Sequence, residues 1–268
     1  MKRVEIIAIG KEILRGQTLD TNSSWLARRV TALGGVVGRI VVPDDDVRAI
    51  VQEIKTSFDN GAEVIITTGG LGPTFDDKTL AGIAEATGNP LSLDPGALQF
   101  VAQRYQAFYE EGSVESPDIT PPREKMAHVP QGAELMDNPV GVAPAVLLRT
   151  SHCVIFALPG VPKEMHAIFE GEVLPRLREI LGSGVYLEEG VASGVGDESV
   201  LGGVVDRVMK RIPGVYLKSK PTRFEKGVDL EVVITAAGPE EGEVRTRIQE
   251  AKKLLLELIK ALPTRTGG

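Results

Sequence analysis

The segment Thr67-Thr68-Gly69-Gly70-Leu71-Gly72-Pro73-Thr74-Phe75-Asp76-Asp77-Lys78-Thr79 joins a glycine turn to two adjacent carboxylates, directly after the apolar run Val64-Ile65-Ile66. Glycine lets a backbone turn sharply and come close to a ligand, so the amides around Gly69, Gly70 and Gly72 are suited to meet phosphate oxygens. A following helix start adds favourable partial charge. Unless they face away, Asp76 and Asp77 would repel those phosphates and so imply a divalent cation bridging acid and phosphate, as magnesium commonly does with one or two carboxylates. The alternative makes Asp77 the cap of a helix over Lys78–Ala86 that ends at Gly88. Local spacing leaves both readings open.

Such residues need a frame to hold them. The first half of the chain alternates short β-branched runs with amphipathic helical patterns, the signature of a parallel sheet crossed by helices. Strands are expected at Val4–Ile9, Val36–Val42 and Glu63–Thr67. Leu26, Val30 and Leu33 mark a helix capped by Asn22 or Ser23. Val47, Ile50, Val51, Ile54 and Phe58 form one continuous helical stripe. Asp94 and Pro95 open another helix, which ends near Gly112. The proline-rich stretch 113–133 reads as a long surface excursion. Ala145–Leu148 and Cys153–Leu158 read as a hairpin, followed by a helix reaching about Leu181. After Gly182-Ser183-Gly184 the order becomes strand, helix, two strands and a final helix, which describes a small α+β appendage.

Ligands of open parallel sheets bind at the C-terminal ends of strands. Gly10, Glu12, Asp20 and Asn22 follow the first expected strand, Asp44-Asp45-Asp46 the second, the glycine loop the third, and Pro159 and Gly160 the last. Each group also has a purely structural reading: Asp20 and Asn22 as turn and cap, Asp44–Asp46 as acids at a helix start, and Pro159–Pro162 as turn punctuation.

Composition narrows the field. The chain has 268 residues, 42% hydrophobic and 25% charged, ordinary for a globular protein with one large core or two modest ones. A formal charge of −7 argues against wholesale phosphate-backbone binding, so no nucleic-acid partner is expected. Lys218, Lys220, Arg223 and Lys226 form a local basic cluster that reads as a solvated hairpin. Cys153, the single cysteine, sits in an apolar run and reads as a packing residue. His128, His152 and His166 lack metal-ligand spacing, which argues against zinc. Ser23, Ser24 and Thr74 have no His–carboxylate partner pattern that would make them nucleophiles. Trp25 and Tyr105 fall on helical faces and read as packing residues. The short N-terminal apolar run does not make a signal peptide, and no stretch of ~20 apolar residues suits a membrane span. A cytoplasmic protein without membrane partners is expected.

With those residues in view, the chain resembles the competence/damage-inducible CinA family, within the MoaB/MogA-like molybdopterin-binding superfamily. The resemblance rests on Gly10-Lys11-Glu12-Ile13-Leu14, Asp20-Thr21-Asn22, Val42-Pro43-Asp44-Asp45, Gly69–Thr74 with Asp76-Asp77, Asn138-Pro139-Val140-Gly141-Val142-Ala143-Pro144, and Leu158-Pro159-Gly160-Val161-Pro162-Lys163-Glu164-Met165. It implies a three-layer α/β MoaB/MogA-like domain with a mostly parallel sheet over residues 1–182. A small α+β KH-like domain is implied over 183–268, where Gly196-Asp197-Glu198-Ser199 matches. Ser193-Gly194-Val195-Gly196 lacks the Gly-x-x-Gly spacing with which KH domains clamp nucleic acid. The C-terminal amidohydrolase domain that acts on nicotinamide mononucleotide in full-length bacterial members is absent from this sequence, so that deamidase activity is not expected.

The resemblance further implies a metal-dependent nucleotide pyrophosphatase acting on ADP-ribose or a related dinucleotide, or else a molybdopterin-binding or adenylyl-transfer protein. It also implies a homo-oligomer, a dimer or trimer. The cofactor would be magnesium, manganese or cobalt. Asp44 and Asp77 match aspartates held to matter in MogA-like enzymes, and Gly69–Thr74 match their phosphate and pterin cradle. The expected catalytic residues are Asp77, Asp44 and Asp76, and the expected metal ligands Asp77, Asp44 and Asp20. The expected ligand contacts are Gly69, Gly70, Gly72, Thr74, Asn22, Glu12, Asn138, Gly141, Pro159 and Gly160. Ala145 departs from the family's glycine after Ala-Pro, which puts ligand specificity in question before the fold.

Overall fold

The computed structural model describes residues 2–182, 184–223 and 229–262. Lys226 of the basic cluster lies outside the described residues, as does the side chain of Arg223. The chain divides into two compact units.

The first unit comprises Lys2–Thr31 and Gly35–Ile180. The elements run β1 (Arg3–Ala8), α1 (Lys11–Leu14), α2 (Thr21–Ala32), β2 (Val36–Val41), α3 (Val47–Asp59), β3 (Val64–Thr68), α4 (Thr79–Thr87) and β4 (Leu91–Leu93). They continue as α5 (Pro95–Glu110), α6 (Pro121–Lys125), β5 (His128–Pro130), β6 (Glu134–Met136), β7 (Ala145–Arg149) and β8 (Val154–Leu158). A continuous helix follows, α7 (Pro162–Ile168) passing through a π-helical turn at Phe169–Val173 into α8 (Leu174–Leu181).

Six strands form one sheet in the order β2-β1-β3-β8-β7-β6. The first four are parallel, while β7 runs antiparallel to β8 and β6. This is the mixed, mostly parallel α/β fold that the alternation of patterns implies. The pleat sends neighbouring residues to opposite faces. Ile7, Ile65, Ile155 and Val146 join a cluster with Ile50 and Ile54 of α3, Leu80 and Ile83 of α4, and Val101 and Tyr105 of α5. Ile6, Ile66 and Phe156, in register with one another, are buried outside that cluster, as are Leu26, Val30, Met165 and Phe169.

Polar side chains set the helix starts. Asp46 caps α3 by accepting from the amides of Arg48 and Ala49, and Asp94 caps α5 through the Ala97 amide. For α2 the cap is Asp20, whose Oδ1 accepts from the Ser23 amide at 2.9 Å. Asn22 and Ser23, the caps expected from sequence, are instead buried within the helix. Stretch 113–133 also departs from expectation. It folds into α6 and β5, β5 pairs with β4, and Met126, Ala127 and Val129 enter the core. Trp25 stacks on His166 with ring centroids 4.2 Å apart.

The second unit takes in Ala32–Gly34 and the described residues from Leu181 onward. It contains β9 (Val185–Ala192), α9 (Glu198–Arg211), β10 (Val215–Arg223), β11 (Asp229–Gly238) and α10 (Glu241–Lys260). The sheet is antiparallel, ordered β10-β11-β9. Leu201, Val204, Val208, Ile234, Val244, Ile248 and Leu255 build its own core. Among the described residues no helix is long and apolar enough to cross a membrane.

Candidate active site at the strand ends

The C-terminal ends of β1, β3 and β8 open onto a cleft of about 530 Å³. Its walls come from four turns. The segment after β1 supplies Gly10, Glu12, Leu19, Asp20 and Asn22, and that after β2 supplies Asp45. The loop after β3 supplies Gly69–Thr74, Asp76 and Asp77, and the turn after β8 supplies Pro159–Pro162 and Glu164. This is the position at which an open α/β sheet exposes strand termini and helix starts to a ligand.

Gly69 and Gly70 shape the floor of the cleft. Both have positive φ, 95° and 68°. A Cβ on Gly69 would stand 2.2 Å from the Ile9 carbonyl oxygen, and one on Gly70 2.2 Å from Thr79 Oγ1. Thr79 in turn donates to the Gly69 carbonyl at 2.7 Å. The amide of Gly69 donates to Leu158 O, whereas those of Gly70, Leu71 and Gly72 donate to no group among the described residues. Adjacent unspent amides of this kind form an anion-binding concavity.

Asp77 does not cap α4. Its Oδ2 accepts from the Thr74 amide at 2.8 Å and the Thr74 hydroxyl at 2.6 Å, while the residue before α4, Lys78, makes no side-chain cap. Asp76 accepts from the same hydroxyl. That hydrogen bond holds the Asp76 carboxyl below its ordinary range, with a further contribution from Lys125 and Lys78. Two carboxylates thus converge on one hydroxyl, which has a single proton to offer. A divalent cation fits this pair, because magnesium takes one or two carboxylates and fills its shell with phosphate oxygens and water.

Asp44 and Asp20 take other partners. Asp44 meets Lys11 at 2.9 Å and is not among the residues lining the cleft; hydrogen bonding to Asp45 and to Lys11 lowers its carboxyl pKa. Asp20 borders the cleft but spends Oδ1 on the α2 cap. Among the described residues no three metal-capable side chains cluster, so Asp77, Asp44 and Asp20 are not gathered into one ligand set. Asp45, adjacent to Asp44 in sequence, is the member of that acid run that lines the cleft.

Asn22 is 7% exposed, and its Nδ2 donates to Gly160 O at 2.8 Å. Its Oδ1 is buried in the cleft wall without a partner among the described residues. Asn138 and Gly141 stand behind the wall. Asn138 Oδ1 accepts from the amides of Val140 and Gly141, and Nδ2 donates to Ala143 O at 2.9 Å and to Glu164 Oε2 at 2.8 Å. Asn138 therefore supports Ala143 and Glu164, which do line the cleft.

Two residues important to this geometry are not among the site residues expected from sequence. Glu164 borders a cleft built mostly by distant loops, its Oε2 accepting from Asn138 Nδ2 at 2.8 Å. Lys125 reaches back from α6 to the glycine loop, its Nζ donating to the carbonyls of Gly72 at 3.2 Å, Asp77 at 2.6 Å, and Thr74. Burial lowers the Lys125 pKa, opposed by the charges of Asp77 and Asp76.

Fold and cleft together define a ligand-binding α/β domain of the molybdopterin-binding type, and residues 5–179 match the family described as probable molybdopterin binding domain. The chain belongs to that family. A protein of Aeropyrum pernix is 42% identical over 228 residues, 85% of this chain and 82% of the relative. One of Pyrobaculum arsenaticum is 38% identical over 96% of this chain and 95% of its own length. Among solved structures, the protein CinA of Thermoplasma acidophilum, described as of unknown function, superposes with a TM-score of 0.59 at 33% identity, covering 65% of this chain and 98% of that one.

Proposed function

We propose that this cleft binds the pyrophosphate of a dinucleotide-like ligand and hydrolyses it, making the chain a divalent-cation-dependent nucleotide pyrophosphatase with ADP-ribose or a close relative as substrate. The reading rests on one juxtaposition: the unspent amides of Gly70, Leu71 and Gly72 lie beside the carboxylates of Asp76 and Asp77, which share the Thr74 hydroxyl. Amides directed at phosphoryl oxygens stabilise charge that develops as a phosphoanhydride breaks. A cation held by Asp77 and Asp76 would polarise a phosphoryl oxygen and acidify attacking water.

The chain's own groups account for the rest. Glu12 lines the cleft with no side-chain partner among the described residues, free to orient a water molecule and accept its proton. Thr74 holds both aspartates in place. The water oxygen bonds to one phosphorus, the bridging oxygen leaves with the other, and ADP-ribose yields AMP and ribose 5-phosphate.

The buried Asn22 oxygen favours a second reading, in which the cleft holds a molybdopterin-type ligand without hydrolysing it. An unpartnered acceptor of that kind suits a ring N–H donor, and an unmet buried acceptor is costly. Purified protein is incubated with ADP-ribose and other dinucleotides, with magnesium, manganese or cobalt or with chelator, and nucleoside monophosphate release is followed. Metal-dependent AMP release supports hydrolysis. Absence of release under every cation, from protein that retains a fluorescent pterin, supports the second reading.

A further inference from the structure

Behind the glycine loop lies a second, smaller cavity of about 300 Å³, lined by Leu71, Leu80, Leu91, Met126, Lys125 and His128 among others. Gly70–Gly72 and Asp77 border both cavities, so the loop is the partition between them. Lys125 lines only the smaller one. An ammonium has three N–H donors, and Lys125 directs its donors to three loop carbonyls, those of Gly72, Thr74 and Asp77.

We propose that Lys125 is the positioning residue of the segment that follows the glycine turn, fixing from behind which way the peptide groups after Gly72, Thr74 and Asp77 face and so holding Thr74 and the two carboxylates beside the anion cradle. In a trans peptide the C=O and N–H point in opposite directions, and the chain has no cis bonds among its described residues. Drawing the Thr74 and Asp77 carbonyls toward the smaller cavity therefore turns the next amides, those of Phe75 and Lys78, away from it. Neither amide donates to a backbone group among the described residues. Gly72 precedes Pro73, which has no N–H, so the third carbonyl is gathered without spending a donor. The ammonium also places a positive charge behind a loop that holds two carboxylates and, under the proposed function, a pyrophosphate. The inference rests on that reading, because it assigns the loop an anion to hold.

The test uses inorganic pyrophosphate with magnesium, titrated into the 268-residue chain while backbone amide resonances of Gly70, Gly72, Phe75 and Lys78 are followed by NMR. In the natural protein these four resonances should move together. Lys125→Met keeps the length of the side chain without its charge or donors, and should weaken pyrophosphate binding by about ten-fold or more, with the Phe75 and Lys78 resonances already displaced before ligand is added. Lys125→Arg restores charge but not the threefold donor arrangement, so it should bind with intermediate affinity. If the natural protein shows no pyrophosphate-dependent shifts, the pyrophosphate reading falls, and this inference with it. If the natural protein binds and Lys125→Met binds equally well, the positioning role alone is refuted. Should Lys125→Met fail to fold, Lys125→Arg decides: unaltered loop resonances and unaltered affinity overturn the proposal.

Discussion

Thr74 gives Asp77 two hydrogen bonds, from its backbone amide at 2.8 Å and its hydroxyl at 2.6 Å, both to Oδ2. The carboxylate is thereby folded back over its own loop, and α4 begins without it. Asp77→Asn should therefore nearly abolish metal-dependent turnover while shifting stability by less than about 1 kcal/mol, since an amide oxygen can still accept from Thr74. Turnover is measured by AMP release and stability by urea denaturation. A loss of stability comparable to removal of a helix cap would contradict this account.

Much of this frame is legible in the chain. The apolar stripe of α3 and the Asp46 and Asp94 caps are local signals, and the strands that carry the cleft are β-branched runs bounded by glycine and proline. What escapes a sequence reading depends on partners far away. β4 and β5 span three residues each and exist only because they pair. Lys125 lies 48 to 53 residues from the carbonyls it holds. The acids after β2 are identifiable as a group, but Lys11 reaches both Asp44 and Asp45, and only the path of the folded turn puts Asp45 rather than Asp44 on the cleft.

Asn138 uses both ends of its amide in four hydrogen bonds and is fully buried. Asn138→Ala leaves the Gly141 amide and the Ala143 carbonyl without their partner and unties Glu164. A loss of roughly 3 kcal/mol is expected, read from the shift of the urea midpoint at constant slope. Asn138→Asp should fare badly as well, because it sets a second carboxylate against Glu164.

Glu5 on β1 is a fully buried carboxylate held by Arg3, Arg39 and Asn60. Burial alone would raise its pKa, but hydrogen bonds from Ser57, Arg39 and Arg3 outweigh it and hold the group below its ordinary 4.5. Well above pH 4.5 the carboxylate is ionised whether folded or not, and its contribution is complete. As the pH falls further the unfolded chain takes up the proton first, so this stability drains away down through the lowered folded pKa. Glu5→Gln should cost about 3 kcal/mol at pH 7, and the gap from the natural protein should narrow progressively below pH 4.5 in urea titrations. A gap that stays constant from pH 7 to 3 would exclude the ion pair as its origin.

Cys153 is 6% exposed, and burial pushes its thiol pKa up to about 11, only partly offset by the hydrogen bond with Thr150. The thiolate is the reactive form. Native protein at pH 8 should therefore resist a thiol-specific reagent, and one equivalent should react promptly on unfolding in urea. Rapid labelling of folded protein at pH 8 would count against a packing role.

Gly69 and Gly88 both sit at positive φ, 95° and 72°, yet they face different surroundings. Nothing stands within 4 Å of a Cβ added to Gly88, the left-handed residue that closes α4, so Gly88→Ala meets only the conformational penalty of about 1 kcal/mol. On Gly69 the same methyl would fall 2.2 Å from the Ile9 carbonyl oxygen, backbone against backbone, with no flexible side chain to yield. Gly69→Ala must move the end of β1 relative to the loop, which also shifts the free amides of Gly70 to Gly72. It should cost several times more stability than Gly88→Ala, roughly 3 kcal/mol, and lose pyrophosphate binding, whereas Gly88→Ala should keep it. Parallel urea melts and pyrophosphate titrations of the two variants measure both effects, and equal behaviour would mean that the loop does not depend on its contact with Ile9.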